Sequence, residues 1–440
     1  MTDYEFNVIL DGAYPRVPYA GKRKSNFIDL PNDHYDRTYG QRALEDQLET
    51  LVALEGLGFD GVVVSEQHNG PIGLIGNVMV AAAWLAARTE RIRVIAHGPI
   101  INDYLTPLRL AEEIAMVDTV SRGRLTFGLP MGHGMQYHSV GAMNPSKARA
   151  RYREAHDLLI AAMTRPGPFE WNGDFFQIPY VNLWPKPLQE PHPPIFVAGG
   201  GSVETLQFVA EHRYTYQAVL NPPHVLRKNI ARFRELCQEA GYESDPNQIA
   251  LVVGIHVGET DEQARLEAEA HEVWQFQNFF RSPMHDNFPP GYVSPQSLRG
   301  ILAGGYRSTP MNEMGFDDLV EAGWLIVGSP ETVARGIEEK AEETGSGRFI
   351  FGVNAGSKPR WLTMKSLTLF AEEVIPRLRP GGTPPAMTAA TPAYKTNSEF
   401  GARRPATAPP PTATLGDGLL DVTKAHVEDL REPVEPWPGG

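Results

Sequence analysis

Short runs of β-branched residues alternate with longer stretches of helical period along most of this chain, and that alternation constrains the fold more than any other feature. Parallel strands joined by crossover helices are the arrangement such an order supports. Strand candidates fall at 6–10, 61–64, 92–96, 125–129, 195–198, 216–219, 251–257 and 348–353. Two of the helical patterns between them are explicit. Over 107–120, Pro107 takes the tolerated first turn while Leu110, Ile114 and Val117 share a face. Over 146–163, Ala148, Tyr152, Ala155, Leu159 and Ala162 repeat the pattern. Eight strand–helix units match a (β/α)8 barrel better than an open doubly wound sheet, and 440 residues leave room for extensions.

Two regions break the rhythm. Residues 166–194 show no helical period but carry Phe169, Trp171, Phe175, Phe176, Tyr180 and Trp184. Residues 271–323 read as a second irregular insertion, with Trp274, Phe276, Phe279, Phe280, His285, Phe288 and Tyr292. Long insertions on a barrel tend to form lids or pocket walls, so Trp274, Phe280, His285 and Phe288 are candidate substrate contacts. From Pro380 onward the chain is too rich in Pro, Thr and Gly for a helix or a strand ladder. The expected division is a barrel over 1–379 and an extended tail over 380–440.

Charge and cysteine usage narrow the partners. Forty basic against 53 acidic side chains give a formal charge of -13, which disfavours a nucleic-acid partner. Cys237 stands alone and cannot form an internal disulfide, and the first residues form neither a basic leader nor an apolar core of a signal peptide, which reads as cytoplasmic. Apolar stretches such as 78–87 fall well short of the roughly 20 residues of a membrane span. Nucleotide fingerprints fail, because Gly132-His133-Gly134 opens no helix and no glycine loop ends in Gly-Lys-Ser/Thr. Metal-ligand spacing is poor as well: His133 and His138 lie five apart in a glycine-bearing loop, and no metal is expected.

Polar groups cluster just after the strand candidates, the end at which barrel enzymes carry their active sites. Ser65-Glu66-Gln67-His68-Asn69 follows the second candidate, His97 the third, Met131 to His133 the fourth, and Gly199-Gly200-Gly201-Ser202 the fifth. The glycine run opens a helix, so it fits either a phosphate cradle of backbone N–H groups or a plain tight turn with Ser202 as N-cap.

An ordered set of motifs then resembles one family. It comprises Glu66-Gln67-His68, Thr89-Glu90-Arg91-Ile92-Arg93-Val94, Pro107-Leu108-Arg109-Leu110-Ala111-Glu112-Glu113 with Asp118, and Ser121-Arg122-Gly123-Arg124-Leu125 leading into Phe127-Gly128. It continues through Arg151-Tyr152-Arg153-Glu154, Trp184-Pro185-Lys186-Pro187-Leu188-Gln189, Pro194-Ile195-Phe196-Val197-Ala198-Gly199-Gly200 and Val327-Gly328-Ser329-Pro330-Glu331-Thr332-Val333. Together these resemble the bacterial luciferase-like flavin-dependent monooxygenases. The resemblance implies a luciferase-like (β/α)8 barrel that takes reduced FMN from a separate NAD(P)H-flavin reductase and reacts it with O2 through a C4a-peroxyflavin to oxygenate a small organic substrate. It further implies that Gly200, Gly201, Ser202 and Thr205 hold the FMN phosphate, together with Arg149 or Arg151, while Glu66, His97 and Met131 lie beside the flavin. A homodimer is the expected assembly.

One departure bears on mechanism. Many relatives read Glu-His-His after the second strand, whereas here the first histidine is replaced by Gln67, which exchanges no proton near neutral pH. His68 takes the second place and becomes the candidate for proton control, with Gln67 able only to orient by hydrogen bonds. Two other classes stay open: an F420-dependent hydride-transfer enzyme of the same superfamily, and a flavin-binding protein without turnover.

Overall fold

The computed structural model describes residues 4–18, 30–132, 144–279, 289–295, 298–299, 311–354 and 356–380. Eight parallel strands close on themselves: β1 (Glu5–Ile9), β2 (Gly61–Ser65), β3 (Arg93–His97), β4 (Leu125–Gly128), β7 (Ile195–Gly199), β8 (Thr215–Ala218), β9 (Ile249–Val257) and β11 (Arg348–Gly352). Pairing runs in chain order around the ring. Tyr216 of β8 meets Ile249 of β9, and Glu5 of β1 meets Arg348 of β11, which completes the barrel. All eight correspond to the expected strands, within two residues at each end. Their sequences are readable because strands buried on both faces are near-continuous apolar runs.

Helices cover the outside. The pattern over 107–120 becomes helix α3 (Pro107–Ser121), after α1 (Arg37–Leu57) and α2 (Val78–Arg88); Thr106 caps it, and Leu110, Ile114 and Val117 are buried. The pattern over 146–163 becomes a 3-10 turn at Pro145–Lys147 and then α4 (Ala148–Thr164). Next come α5 (Val203–His212), α6 (Pro223–Glu239) and α7 (Asp261–Phe279). Arg124 ties this shell to the barrel. Its guanidinium donates to the carbonyls of Ala86, Thr89, Ile92 and Ser121 and to the Thr89 hydroxyl, so a buried cation sits among oxygen acceptors.

The barrel interior is layered. At the strand starts lie Glu5, Arg93, Thr215 and Arg348, all buried. Above them Val63, Ile95, Phe196, Ala250 and Ile350 pack as a separate apolar cluster with Ile9 and Val252 against it. Each such side chain contributes roughly 1.5–3 kcal/mol on burial. The plug separates the ionic base from the polar ends of the strands.

Both irregular regions need correction. Residues 166–194 contain an antiparallel hairpin, β5 (Phe169–Asn172) with β6 (Gln177–Val181), and it packs outside the barrel against α4. Glu154 of α4 accepts from the Trp171 indole and from the backbone N–H of Phe175 and Phe176, while Tyr180 and Trp184 are exposed. The second region begins as regular structure, because α7 runs through Phe279 and carries Trp274 and Phe276. A further strand, β10 (Leu325–Gly328), was not expected. It pairs with the outer half of β9, from Gly254 to Val257. Phe280, His285, Phe288 and the tail beyond Pro380 lie outside the described residues.

Candidate active site

Because every barrel strand is parallel, the residues following β2, β3, β4 and β7 share one mouth, and His68 and Ser202 therefore stand at the same end. Glu66 is buried and organises the loop after β2. Its Oε2 accepts from Val78 N at 3.1 Å, and its Oε1 accepts from Ile100 N at 3.3 Å and lies 3.2 Å from Nε2 of His68. This carboxylate thus binds the loop after β2 to the N-terminus of α2 and to the chain leaving β3.

A second carboxylate approaches the same imidazole. Asp103, at the end of the 3-10 turn Ile101–Asp103, places Oδ2 3.6 Å from His68 Nε2, and one carboxylate oxygen each of Glu66 and Asp103 and a ring nitrogen of His68 all lie within 4.8 Å of one another. The hydrogen bond to Glu66, opposed by burial and helped by the charges of Glu66 and Asp103, raises the His68 pKa. Burial pushes Asp103 up to about 7, with His68 pulling the other way. Asp103 is absent from the sequence-derived set because it reads as a linker residue ahead of Pro107.

Gln67 engages the other side of the loop. Its amide donates to Ser65 Oγ at 3.4 Å, and Ser65 donates to Asp11 Oδ1 at 2.5 Å. Burial raises the Asp11 pKa despite that bond. The position held by a first histidine in many relatives therefore ends a hydrogen-bond chain to a carboxyl from the loop after β1. His97 closes β3 beside Ser65, and burial alone pulls its pKa down to about 4, so it is neutral at physiological pH.

The loop after β7 forms the neighbouring part of the mouth. Gly201 has φ +90°, and a Cβ there would collide with Asn229, whose amide donates to Gly200 O at 3.0 Å. Only glycine meets both demands. Ser202 caps α5, its Oγ accepting from Thr205 N at 3.3 Å and lying 2.9 Å from Thr205 Oγ1. Beside it lies a small cleft lined by Met131, Arg149, Tyr152, Arg153, Glu204, Thr205 and Phe208 with Val197 and Ala198.

The three arginines of α4 divide by helical spacing. Arg149 and Arg153, four residues apart, both line the cleft. Arg151 faces elsewhere, donating to Asn102 O at 2.9 Å and Tyr104 O at 2.8 Å, with its guanidinium 4.8 Å from the Phe176 ring centre. Arg153 was not singled out from the sequence, although its i,i+4 relation to Arg149 was the signal available. Trp274 reaches the rim from α7. It packs with Ala13, Ile72 and Phe279 and lies against Gly356, so loops after β1, β2 and β11 meet at its ring.

A (β/α)8-barrel enzyme with histidines and buried carboxyls gathered at the strand C-termini is the class that fold and site define. The family model described as luciferase-like monooxygenase matches residues 27–353, and the chain belongs to that family. It is an enzyme of the flavin-dependent monooxygenase class. The oxygenase component of a flavin-dependent trigonelline monooxygenase from Acinetobacter baylyi is 27% identical over 284 residues, covering 61% of this chain and 76% of the relative. The oxygenating constituent of 3,6-diketocamphane monooxygenase from Pseudomonas putida, solved in complex with FMN, superposes with a TM-score of 0.66 at 20% identity, over 86% of this chain and 99% of that one. A coenzyme F420-dependent tetrahydromethanopterin reductase from Methanopyrus kandleri superposes at 0.57 with 18% identity, over 86% and 100%. No described helix is long and apolar enough to cross a membrane.

Proposed function

We propose that the protein is the oxygenase component of a two-component system, taking reduced FMN from a separate NAD(P)H-flavin reductase and using O2 to oxygenate a small organic substrate. The observation that carries this reading is the cleft at the N-terminus of α5, where Arg149, Arg153 and Thr205 converge in front of a glycine turn. Two guanidinium groups outweigh the single Glu204 carboxylate there, which suits a dianionic phosphate. Gly200 and Gly201 let the backbone approach it, and Ser202 and Thr205 offer hydroxyls.

When bound, the reduced flavin supplies the electrons that activate O2. The chain's own residues do the rest. Met131 and the loop after β2 border the place for the ring system, neutral His97 adds no charge beneath it, and Trp274 with Phe279 forms an apolar wall that keeps water away. His68 is the group placed to hold or deliver a proton, while Gln67 orients through Ser65. Exposed Val80 on α2 and Met116 and Val120 on the adjoining α3 support a homodimer.

Replacing Arg149 by Ala should weaken reduced FMN about 10- to 100-fold, as expected for one charge-assisted phosphate contact, and leave riboflavin nearly unaffected. Equal loss for both ligands in anaerobic titrations would overturn the phosphate assignment. In the same titrations, tight F420 and weak FMN binding would favour the hydride-transfer alternative.

A further inference from the structure

We propose that Asp103 is a positioning residue for His68: together with Glu66 it brackets Nε2 of the imidazole, and the Asp103 carboxyl and the imidazole titrate as one coupled pair. The two carboxylates facing Nε2 are not equivalent. Glu66, at 3.2 Å, accepts two backbone N–H bonds. Asp103, at 3.6 Å, accepts none; both of its oxygens are buried without a hydrogen-bond partner, and its side chain is 7% exposed. An anion so placed lacks both solvent and N–H donors, so one proton is divided between Asp103 and His68. Protonated His68 beside ionised Asp103 and neutral His68 beside the Asp103 acid carry the same total charge, and at 3.6 Å with no hydrogen bond between them they interconvert by proton exchange with the mouth, not by direct transfer. Since both carboxylates meet Nε2, Nδ1 is the ring nitrogen left to serve a reacting oxygen.

The surroundings hold this pair at a fixed distance. Arg151 of α4 clamps the carbonyls of Asn102 and Tyr104 on either side of Asp103, and its charge opposes the burial that raises the acid's pKa. Asn102 donates to Ala148 O at 3.2 Å. From α3, Glu113 accepts from the Tyr104 hydroxyl and is paired with Arg109, so it is occupied on its own side. His97, from β3, is neutral, and Asp11 is turned to Ser65. Arg151 thereby acts on the acid–histidine pair, while its neighbours Arg149 and Arg153 line the phosphate cleft.

What the proton is used for rests on the oxygenase reading above, but the pair itself is testable on the full-length protein without flavin. The measurement is the NMR titration of His68, assigned by its loss in His68→Gln, in buffer containing EDTA so that no cation contributes. The wild type should titrate in two coupled steps. Asp103→Asn should give one step, with the midpoint lowered by roughly 0.5 to 1 unit because a nearby anion is gone. Asp103→Glu should restore the second step. An unchanged His68 curve in Asp103→Asn, or identical curves for the Asn and Glu variants, would overturn the proposal. Should Asp103→Asn fail to fold, infrared titration of the wild type against His68→Gln decides instead: a protonated-carboxyl band that disappears through pH about 7 and shifts when His68 is replaced is expected, and a band unmoved by His68→Gln, or no band, overturns the pairing. Failure here with intact FMN binding would leave the oxygenase reading standing.

Discussion

The two ends of the barrel use the same kinds of side chain for opposite purposes. At the base, Arg348 Nε donates to Glu5 Oε2 at 3.0 Å, and Asn7 donates to Glu5 Oε1 at 3.1 Å. Burial works against that carboxylate, yet Arg348, Arg93 and Asn7 outweigh it and bring its pKa down to about 2. Asp60 beside it pairs with Arg379 and accepts from Phe6 N at 2.7 Å; burial and the Glu5 charge still push it up to about 6. At the mouth, Asp11 and Asp103 pair with no guanidinium among the described residues, and both pKa values rise through burial. A charged base closed by arginines locks strands together, whereas burial at the mouth favours the protonated carboxyl.

The largest effect should come from breaking the base. Arg348→Met takes the paired guanidinium from buried Glu5, leaving it only Asn7 and the Arg93 charge, and should cost about 3–5 kcal/mol in urea unfolding, with flavin affinity of the folded fraction unchanged. The double variant Glu5→Leu with Arg348→Met should recover only part of that loss, since buried Arg93 is then left without the Glu5 carboxylate. A flavin-binding defect in the single variant at temperatures where it is folded would show that the apolar plug fails to insulate the two ends.

Breaking the mouth should act on chemistry instead. His68→Ala should keep flavin binding but cut substrate oxygenation by on the order of 100-fold, with the consumed O2 released as hydrogen peroxide. Oxygen uptake and peroxide assayed together with product measure this. Coupled turnover at the wild-type rate and an unchanged pH profile would remove His68 from proton control.

The smallest effect has the opposite sign from the first. Asp103 has its folded pKa raised to about 7, so its contribution to stability is full below the unfolded value and is lost as pH rises through about 7. Glu5 runs the other way, its contribution being lost as pH falls through about 2. Asp103→Asn should therefore stabilise the protein at pH 8, by about 2 kcal/mol after allowing for partial solvation, and do nothing at pH 4. Denaturant curves at the two pH values provide the check; destabilisation at pH 8 would mean that the carboxylate is held by contacts the geometry does not contain.

How much of this could be read from the sequence follows from the range of the interactions. All eight barrel strands were legible, since a strand buried on both faces is a local run such as Gly61-Val62-Val63-Val64, and a common mouth follows because Glu66, His68, His97, Met131 and Ser202 each come after such a run. The β5–β6 hairpin was not legible, because its aromatics pack on Glu154 of a preceding helix and leave no clean alternation of their own. Nor was the end of α7, whose aromatics Trp274 and Phe276 serve different neighbours, one the rim of the mouth and the other Trp324. The division of labour among Arg149, Arg151 and Arg153 was half legible: helical spacing separates Arg151 from the other two, but only the carbonyls of Asn102 and Tyr104 explain what it holds.

By itself the sequence determined the eight barrel strands, the helical shell and the end of the barrel at which the polar motif residues gather, all of which rest on patterns repeating within a few residues. Tertiary structure alone decided which charges meet: Arg348 reaches Glu5 across 343 positions of chain, and Asp103 reaches His68 from a linker that carries no motif. Periodicity records which face of an element is buried, but the protonation of a carboxyl depends on which donors closure of the barrel brings to it, and no local pattern encodes that.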